Sequence, residues 1–272
     1  KNIKSIELDN KMLVSKNLLG TTYEATSEYE KAIKIYNSTL KEAEELGDML
    51  CIAITLGNIA NHYNNDSNNR QKALECYNRA LSIFEELGIE KETIVCFTSD
   101  NGGLSTSEGS PTSNLPLRGG KGWLYEGGIR EPFIIRYPDK FKASVSEVPV
   151  ISTDFYPTIL DLANIKLKPN QHMDGVSLMP ILKSDKGEIE REAIYWHYPH
   201  YSNQGGFPGG AIRINNFKLV ERYEDGKTHL YDLNKDLGES NDIAESYQDK
   251  VTTMKKKLHY WYKEVDAKFL RS

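Results

Sequence analysis

The first 88 residues show an apolar pattern that repeats at helical spacing. Small residues that allow close helix contact alternate with tyrosines large enough to fill the gaps between helices. In chain order these positions are Gly20, Ala32, Tyr36, Gly57, Ala73 and Tyr77. Leu-Gly ends each unit, at Gly47 and Gly88, where a helix C-terminus favours glycine. The pattern predicts two helical hairpins, and Asn64–Asn69 predicts an extended loop within the second.

The hairpins resemble the longer-helix form of the tetratricopeptide repeat, whose unit is ~34 residues. This resemblance implies a groove for a peptide partner. A spacer or scaffold is the alternative, and we favour it because such arrays need about three or more repeats for stability. Residues 1–88 are therefore predicted to be an all-α domain from a truncated array.

A short apolar run, Ile94–Phe97, is typical of a buried strand in a parallel sheet. Asp100 and Asn101 follow it, and ligands of open α/β sheets lie just beyond the carboxyl ends of strands. Their oxygen atoms suit Ca²⁺ or Mg²⁺. A plain Asp-Asn-Gly turn is the alternative. Some twenty residues further on, Arg118 and Lys121 flank two glycines in a cationic loop able to meet an anion.

The last 80 or so residues change to short alternating runs followed by a helical one. Predicted strands are Ala193–His197, Ala211–Ile214, Phe217–Tyr223 and Thr228–Leu233. Apolar positions between Tyr247 and Phe269 recur at steps of three and four, which predicts an amphipathic helix. This region is therefore predicted to be a small antiparallel sheet covered by a helix.

Several runs, in this order, resemble the C-terminal half of a sulfatase of the arylsulfatase type, in the alkaline-phosphatase-like superfamily. The runs are Thr98–Gly103, Leu117–Gly122, Glu126–Pro132, Ser152–Leu160, Asp174–Leu178 and Trp196–Tyr201. The resemblance implies a multi-domain fold, in which the helical repeats precede a partial α/β sulfatase fold. The predicted domains are residues 1–88, then a partial α/β core at 89–190, then an antiparallel sheet plus C-terminal helix at 191–272.

The resemblance also implies roles for individual residues. It assigns a divalent cation, usually Ca²⁺, to Asp100 and Asn101, and the substrate sulfate to Lys121. His200 is expected to border the substrate, with a purely structural histidine as the alternative. Arg118 is expected to stabilise its loop. The implied reaction is hydrolysis of a sulfuric ester in a small molecule or glycan, and phosphate-ester hydrolysis is the alternative within the superfamily.

The nucleophile of the family is a formylglycine made from Cys or Ser followed by x-Pro/Ala-x-Arg. Cys51, Cys76 and Cys96 all lack that context, and so does every serine. We therefore expect an incomplete active site with no appreciable turnover, and a non-catalytic interaction scaffold is the alternative function. Residues 80–88 satisfy both the repeat pattern and the sulfatase pattern, so two sequences are expected to meet there, by natural fusion or by artefact.

Composition sets wider limits. The net charge of −5 gives no indication of nucleic-acid or membrane-surface binding. No apolar run is long enough to span a bilayer. The sequence begins at Lys1 with no signal peptide, which suggests a fragment or a processed product and leaves the compartment unknown. The three cysteines lie in helix or strand patterns and are expected to be free thiols.

Overall fold

The structure is a computed structural model, and it describes residues 3–64, 69–106 and 112–269. The chain divides into two compact units. The first contains the residues up to Val95 together with Arg136–Lys140, and the second contains Cys96–Ile135 and the residues from Phe141 onward. The predicted boundaries after residues 88 and 190 stay predictions. Within the described part of the chain, no helix combines the length and apolar character needed to cross a membrane.

Four helices with short connections build the first unit. They are α1 (Ile3–Ala25), α2 (Tyr29–Leu46), α3 (Met49–Asn64) and α4 (Arg70–Glu86). α1 packs against α2 and α3 packs against α4, while α3 also contacts α1 and α2. α2 ends at Gly47 in the left-handed conformation, with φ of 69°. The two predicted helical hairpins are therefore present, whereas residues 65–68 of the predicted loop lie outside the described residues.

Close packing around the repeated glycine occurs in the first hairpin and not in the second. A Cβ built on Gly20 would lie 2.2 Å from the ring of Tyr36, which is 1% exposed. A Cβ built on Gly57 would meet nothing within 4 Å. Tyr77 on α4 is 39% exposed, and its hydroxyl donates to Oδ1 of Asn61 on the neighbouring helix α3.

These two glycines give a matched pair of substitutions. Gly20→Ala forces a methyl group into the Tyr36 ring, and overpacking of this kind costs about 1–3 kcal/mol. Gly57→Ala adds a methyl group in open space within a helix, so it should stabilise the protein by up to about 1 kcal/mol. Urea unfolding of the full chain measures both free energies. Equal effects of the two substitutions would contradict the packing described for Gly20.

The second unit contains a four-stranded sheet, most of a two-stranded sheet, and the remaining helices. β1 (Val95–Thr98) pairs with β2 (Phe133–Arg136). The helices are α5 (Glu126–Ile129), α6 (Phe155–Leu162), α7 (Met179–Lys183) and α8 (Gln248–Glu264), and single 3-10 turns lie at Ser152–Asp154 and Ala244–Tyr247. The larger sheet has the order β3 (Ile194–Tyr198), β4 (Gly209–Ile214), β5 (Phe217–Arg222) and β6 (Thr228–Asp232), with every pairing antiparallel. The predicted antiparallel sheet and C-terminal helix are confirmed.

The larger sheet is covered on both faces because neighbouring side chains of a strand point to opposite sides. One face packs against α8 through Ile212, Leu219 and Leu230. The opposite face carries Ala211, Val220 and Tyr231, which pack against Leu124 and Tyr125. The sheet therefore supports the glycine-rich segment around residues 119–128, on the face away from α8.

The expectation that Ile94–Phe97 is a buried strand is wrong. The strand is Val95–Thr98, and three of its four residues are exposed. Phe97 is 55% exposed, and Ile134 on the neighbouring strand is 57% exposed. The physical reason is that β1 belongs to a two-stranded sheet, in which the apolar faces of the strands stay partly uncovered.

Candidate functional site

Asp100 and Asn101 lie in the loop that follows β1. Asp100 is exposed and Asn101 is half-buried. The Asn101 amide Nδ2 donates to Oδ2 of Asp100 at 2.5 Å, so the two side chains meet at their polar ends. The Ser99 hydroxyl donates to the Asn101 carbonyl at 2.8 Å and closes the turn. The loop thus presents a carboxylate and an amide next to each other, at the carboxyl end of a strand.

A third oxygen-bearing side chain, Glu131, lies near this pair. Burial raises the pKa of Glu131 above its ordinary value, and the negative charge of Asp100 raises it further. Carboxylate and amide oxygens fit a hard divalent cation, although Ca²⁺ takes about six to eight oxygen ligands. Among the residues that the structure describes, no three or more His, Cys, Asp or Glu side chains are grouped to hold a metal ion. Asp100 and Asn101 therefore fit part of a cation site.

Glycine allows the Asp100 loop to lie directly on α5. The Gly102 amide donates to the Gly128 carbonyl at 3.0 Å. A Cβ on Gly102 would lie 1.8 Å from the carbonyl oxygen of Gly127, a distance that real side chains do not reach. Only a residue without a side chain lets the two backbones approach this closely.

A second backbone contact joins the same loop to the segment that carries Lys121. The Lys121 amide donates to the Gly103 carbonyl at 3.2 Å. A Cβ on Gly120 would lie 2.5 Å from that same carbonyl oxygen. The Lys121 side chain is exposed and has no ion-pair partner within the described part of the chain. The structure therefore brings the segments of Asp100, Asn101 and Lys121 together, and it leaves the lysine charge available.

A buried ion cluster lies beneath these loops. The Lys218 ammonium on β5 is 3.0 Å from Oε1 of Glu126 and 2.9 Å from Oε1 of Glu239. All three residues are fully buried. Glu239 also accepts a 2.6 Å hydrogen bond from the backbone amide of Glu126, at the start of α5. Burial raises the pKa of Glu239, while Lys218 and this hydrogen bond act in the opposite direction. The cluster fixes α5 to the sheet.

Arg118 is held by contacts with β6 and with the segment that follows it. Its Nη1 donates to the Glu239 carbonyl at 2.7 Å and to the Tyr231 hydroxyl at 3.1 Å. Its guanidinium group lies 3.9 Å from the centroid of the Tyr125 ring. These contacts agree with the expected role of Arg118 in stabilising its loop.

The loop after β3 packs against the segment that carries Lys121, and the sequence pattern does not predict the details of this contact. The indole Nε1 of Trp123 and the hydroxyl of Thr106 both donate to the Gln204 carbonyl, each at 3.0 Å. A Cβ on Gly206 would lie 1.8 Å from the Gly122 carbonyl oxygen. A half-buried tryptophan needs a hydrogen-bond acceptor for its indole N–H, and Trp123 is therefore the residue whose type hints at this contact. Gln204 itself carries no pattern that marks it.

His200 lies near the start of that loop and is exposed. Its ring lies 5.5 Å from the ring of Tyr198. In the described part of the chain, neither a hydrogen bond nor an ion pair joins it to Asp100 or Lys121, so its expected role at the substrate stays a prediction. His197, by contrast, is fully engaged, because Nε2 lies 2.8 Å from the Lys268 carbonyl and Nδ1 lies 2.6 Å from the Tyr223 hydroxyl.

The buried cluster predicts a large effect of removing its cation. Lys218→Met keeps the side-chain length but removes the ion-pair partner of the buried Glu239 carboxylate and leaves Glu126 only its longer contacts to Arg130 and Arg213, which costs about 3–5 kcal/mol. Lys235→Met is the control, since Lys235 pairs with Asp232 at the surface and such pairs contribute about 0–1 kcal/mol. The Lys218→Met loss should shrink toward acidic pH, because burial raises the pKa of Glu239 and its protonated carboxyl needs no counter-ion. Unfolding free energies that match the control at pH 7 would contradict this account.

Two family models match the chain over this region. The model described as Sulfatase matches residues 18–165, and the model described as N-sulphoglucosamine sulphohydrolase, C-terminal, matches residues 120–266. Each match spans more than half of the chain, so the chain belongs to the sulfatase family. The first match begins at residue 18 and so includes most of the helical hairpins, upstream of the motifs that carry the resemblance noted from sequence.

Individual relatives agree with this assignment. A sulfatase of Formosa agariphila is 36% identical over 189 residues, covering 64% of this chain and 34% of the relative. An N-acetylglucosamine-6-O-sulfatase of Bacteroides thetaiotaomicron is 34% identical over 170 residues, covering 61% and 29%. The crystal structure of Ps i-CgsB in complex with k-i-k-neocarrahexaose superimposes with a TM-score of 0.56 and 26% identity, covering 69% and 40%. The chain thus spans about a third of the length of these curated relatives.

Proposed function

We propose that this chain carries half of the cation and sulfate site of a sulfuric ester hydrolase. In this proposal Asp100 and Asn101 bind a divalent cation, Ca²⁺ in the first instance, and Lys121 binds the sulfate group. His200 borders the substrate. The observation that carries the proposal is the direct backbone contact between the two segments, through the Gly103 carbonyl and the Lys121 amide.

The chemistry of these groups suits a sulfate ester. When bound, a divalent cation supplies positive charge next to the sulfate oxygens. The Lys121 ammonium is a compact charge on a flexible stem, and it can approach the same oxygens from the neighbouring loop. Positive groups placed where negative charge develops stabilise the transition state of such a reaction. Gly102 and Gly120 have no side chains that would separate the two loops.

We further propose a sulfated glycan as the substrate class. Support comes from the name of the N-acetylglucosamine-6-O-sulfatase relative and from the oligosaccharide bound in the crystal structure of Ps i-CgsB. A sulfated small molecule is the alternative substrate. Hydrolysis of phosphate esters remains the alternative reaction. Comparing the affinities for inorganic phosphate and inorganic sulfate shows which of the two anions the site prefers.

The binding test uses the full chain and calorimetric titration with Ca²⁺ and with inorganic sulfate. Asp100→Ala should abolish Ca²⁺ binding, and Lys121→Ala should weaken sulfate binding by about tenfold, equivalent to about 1.4 kcal/mol. The control variants are Asp185→Ala and Lys186→Ala, at exposed residues that carry the same charge as Asp100 and Lys121 respectively. Retention of both affinities in the site variants would refute the assignment.

We also propose that the 272-residue chain by itself shows no appreciable turnover, since no Cys or Ser in it has the formylglycine context. An aryl sulfate with saturating Ca²⁺ tests this directly. Turnover should not exceed that of the Asp100→Ala variant, and a clear excess would overturn this part of the proposal.

A second candidate function is a protein-interaction scaffold built on tetratricopeptide-like hairpins. It is favoured by exposed apolar side chains on the first helix of each hairpin: Val14 and Leu18 on α1, and Leu50 and Ile54 on α3. An immobilised full chain should enrich apolar peptides from a random library. Leu18→Ser and Ile54→Ser should remove that binding, whereas Leu74→Ser on α4 should not. No enrichment, or equal loss in the control, would count against the scaffold.

A further inference from the structure

One side chain lies between the two loops of the candidate site and bonds to both. The Asn114 amide accepts a hydrogen bond from the Gly103 backbone amide at 3.1 Å through Oδ1. Its Nδ2 donates to the Gly103 carbonyl at 2.8 Å and to the Gly119 carbonyl at 3.1 Å. Gly103 is two residues from Asn101, and Gly119 is two residues from Lys121. Asn114 therefore links the segment of the cation ligands to the segment of the sulfate-binding lysine.

The surrounding backbone leaves room for this amide. A Cβ on Gly103 would lie 2.8 Å from Oδ1 of Asn114, and a Cβ on Gly120 would lie 2.7 Å from its Nδ2. Any side chain at either glycine would displace the amide. The Asn114 amide therefore fits only because both Gly103 and Gly120 lack side chains.

The bonding pattern requires an amide in particular. An asparagine side chain offers two donor hydrogens on nitrogen and an acceptor oxygen, and all of these are used here. Aspartate has nearly the same shape, but when ionised it accepts hydrogen bonds only. It would keep the bond from the Gly103 amide and would face the carbonyls of Gly103 and Gly119 with a repelling oxygen.

We propose that Asn114 is a positioning residue that couples cation binding at Asp100 and Asn101 to sulfate binding at Lys121. This inference rests on the proposed function. Asn114 touches neither ligand. It holds the Gly103 and Gly119 carbonyls in fixed positions, so that ordering one loop around its ligand also orders the other loop. Bound Ca²⁺ then raises the affinity for sulfate, and bound sulfate raises the affinity for Ca²⁺ by the same factor.

The experiment measures both dissociation constants in the full chain, each with and without the other ligand, using CaCl₂ and inorganic sulfate. Wild-type protein should show a coupling factor of about fivefold or more, within the range typical of linked sites. Asn114→Ala and Asn114→Asp should both reduce the coupling factor to near one while the protein still binds each ligand alone. Asn234→Ala, at an exposed asparagine after β6, is the control and should retain full coupling.

A ligand-free measurement accompanies the titrations. Hydrogen exchange should show faster exchange of the Lys121 amide in both Asn114 variants and of the Gly103 amide in Asn114→Ala, with the amides of α8 unchanged. Protection that is unchanged at both amides overturns the positioning role, whatever the titrations show. The same measurement confirms that the Asn114 variants are folded.

The outcomes separate this inference from the proposed function. Binding of both ligands without coupling in the wild type, or coupling that survives Asn114→Ala, overturns the inference and leaves the proposed function standing. Binding of neither ligand by the wild type overturns both. A loss of coupling with retained binding of each single ligand supports the inference, because a general loss of stability would weaken both affinities together.

Discussion

The candidate site depends on close contact between main chains that only glycine permits. Gly102 lies on the carbonyl of Gly127, and Gly120 lies on the carbonyl of Gly103. These two contacts place the loop with Asp100 and Asn101 beside the loop with Lys121. A methyl group at Gly102 would push the Asp100 loop away from α5, and a methyl group at Gly120 would push the Lys121 loop away from Gly103. The geometry of the site therefore requires glycine at both positions.

The loops need a firm base, which the antiparallel sheet supplies. Its two faces are covered by different parts of the chain: α8 covers one, and the segment around Leu124 and Tyr125 covers the other. The Lys218 ammonium reaches from β5 to two carboxylates at the start of α5 and after β6. Buried ion pairs are weak evidence for stability in themselves, but removing one partner is costly. The cluster therefore makes the position of α5, and of the glycines on it, sensitive to a single side chain.

The sequence predicts those features that depend on local pattern. The helical hairpins follow from apolar spacing, and the strands β3–β6 and the helix α8 follow from alternation and from steps of three and four. Asp100 and Asn101 stand out because an apolar run ends just before them. Each of these signals lies within a few residues of the element that it predicts.

Features that depend on distant partners could not be predicted in the same way. Phe97 has the pattern of a buried strand residue, yet its exposure depends on how many strands flank β1. Gly57 repeats the spacing of Gly20, yet a Cβ built on it would meet nothing within 4 Å, while Tyr36 packs directly on Gly20. Asn114 bonds to the backbone of Gly103 and Gly119, and the Gln204 carbonyl accepts hydrogen bonds from the side chains of two distant residues. No pattern in the neighbouring sequence predicts either set of contacts.

The central claim is that the cation ligands and the sulfate-binding lysine share one site. Substituting Mn²⁺ for Ca²⁺ tests this most directly, since Mn²⁺ also accepts oxygen ligands and broadens the NMR signals of nearby nuclei. The account predicts that the amide signals of residues 100–103 and of Lys121 broaden first and together, and that Asp100→Ala abolishes both effects. Broadening that reaches the Asp100 loop but spares Lys121 would contradict it.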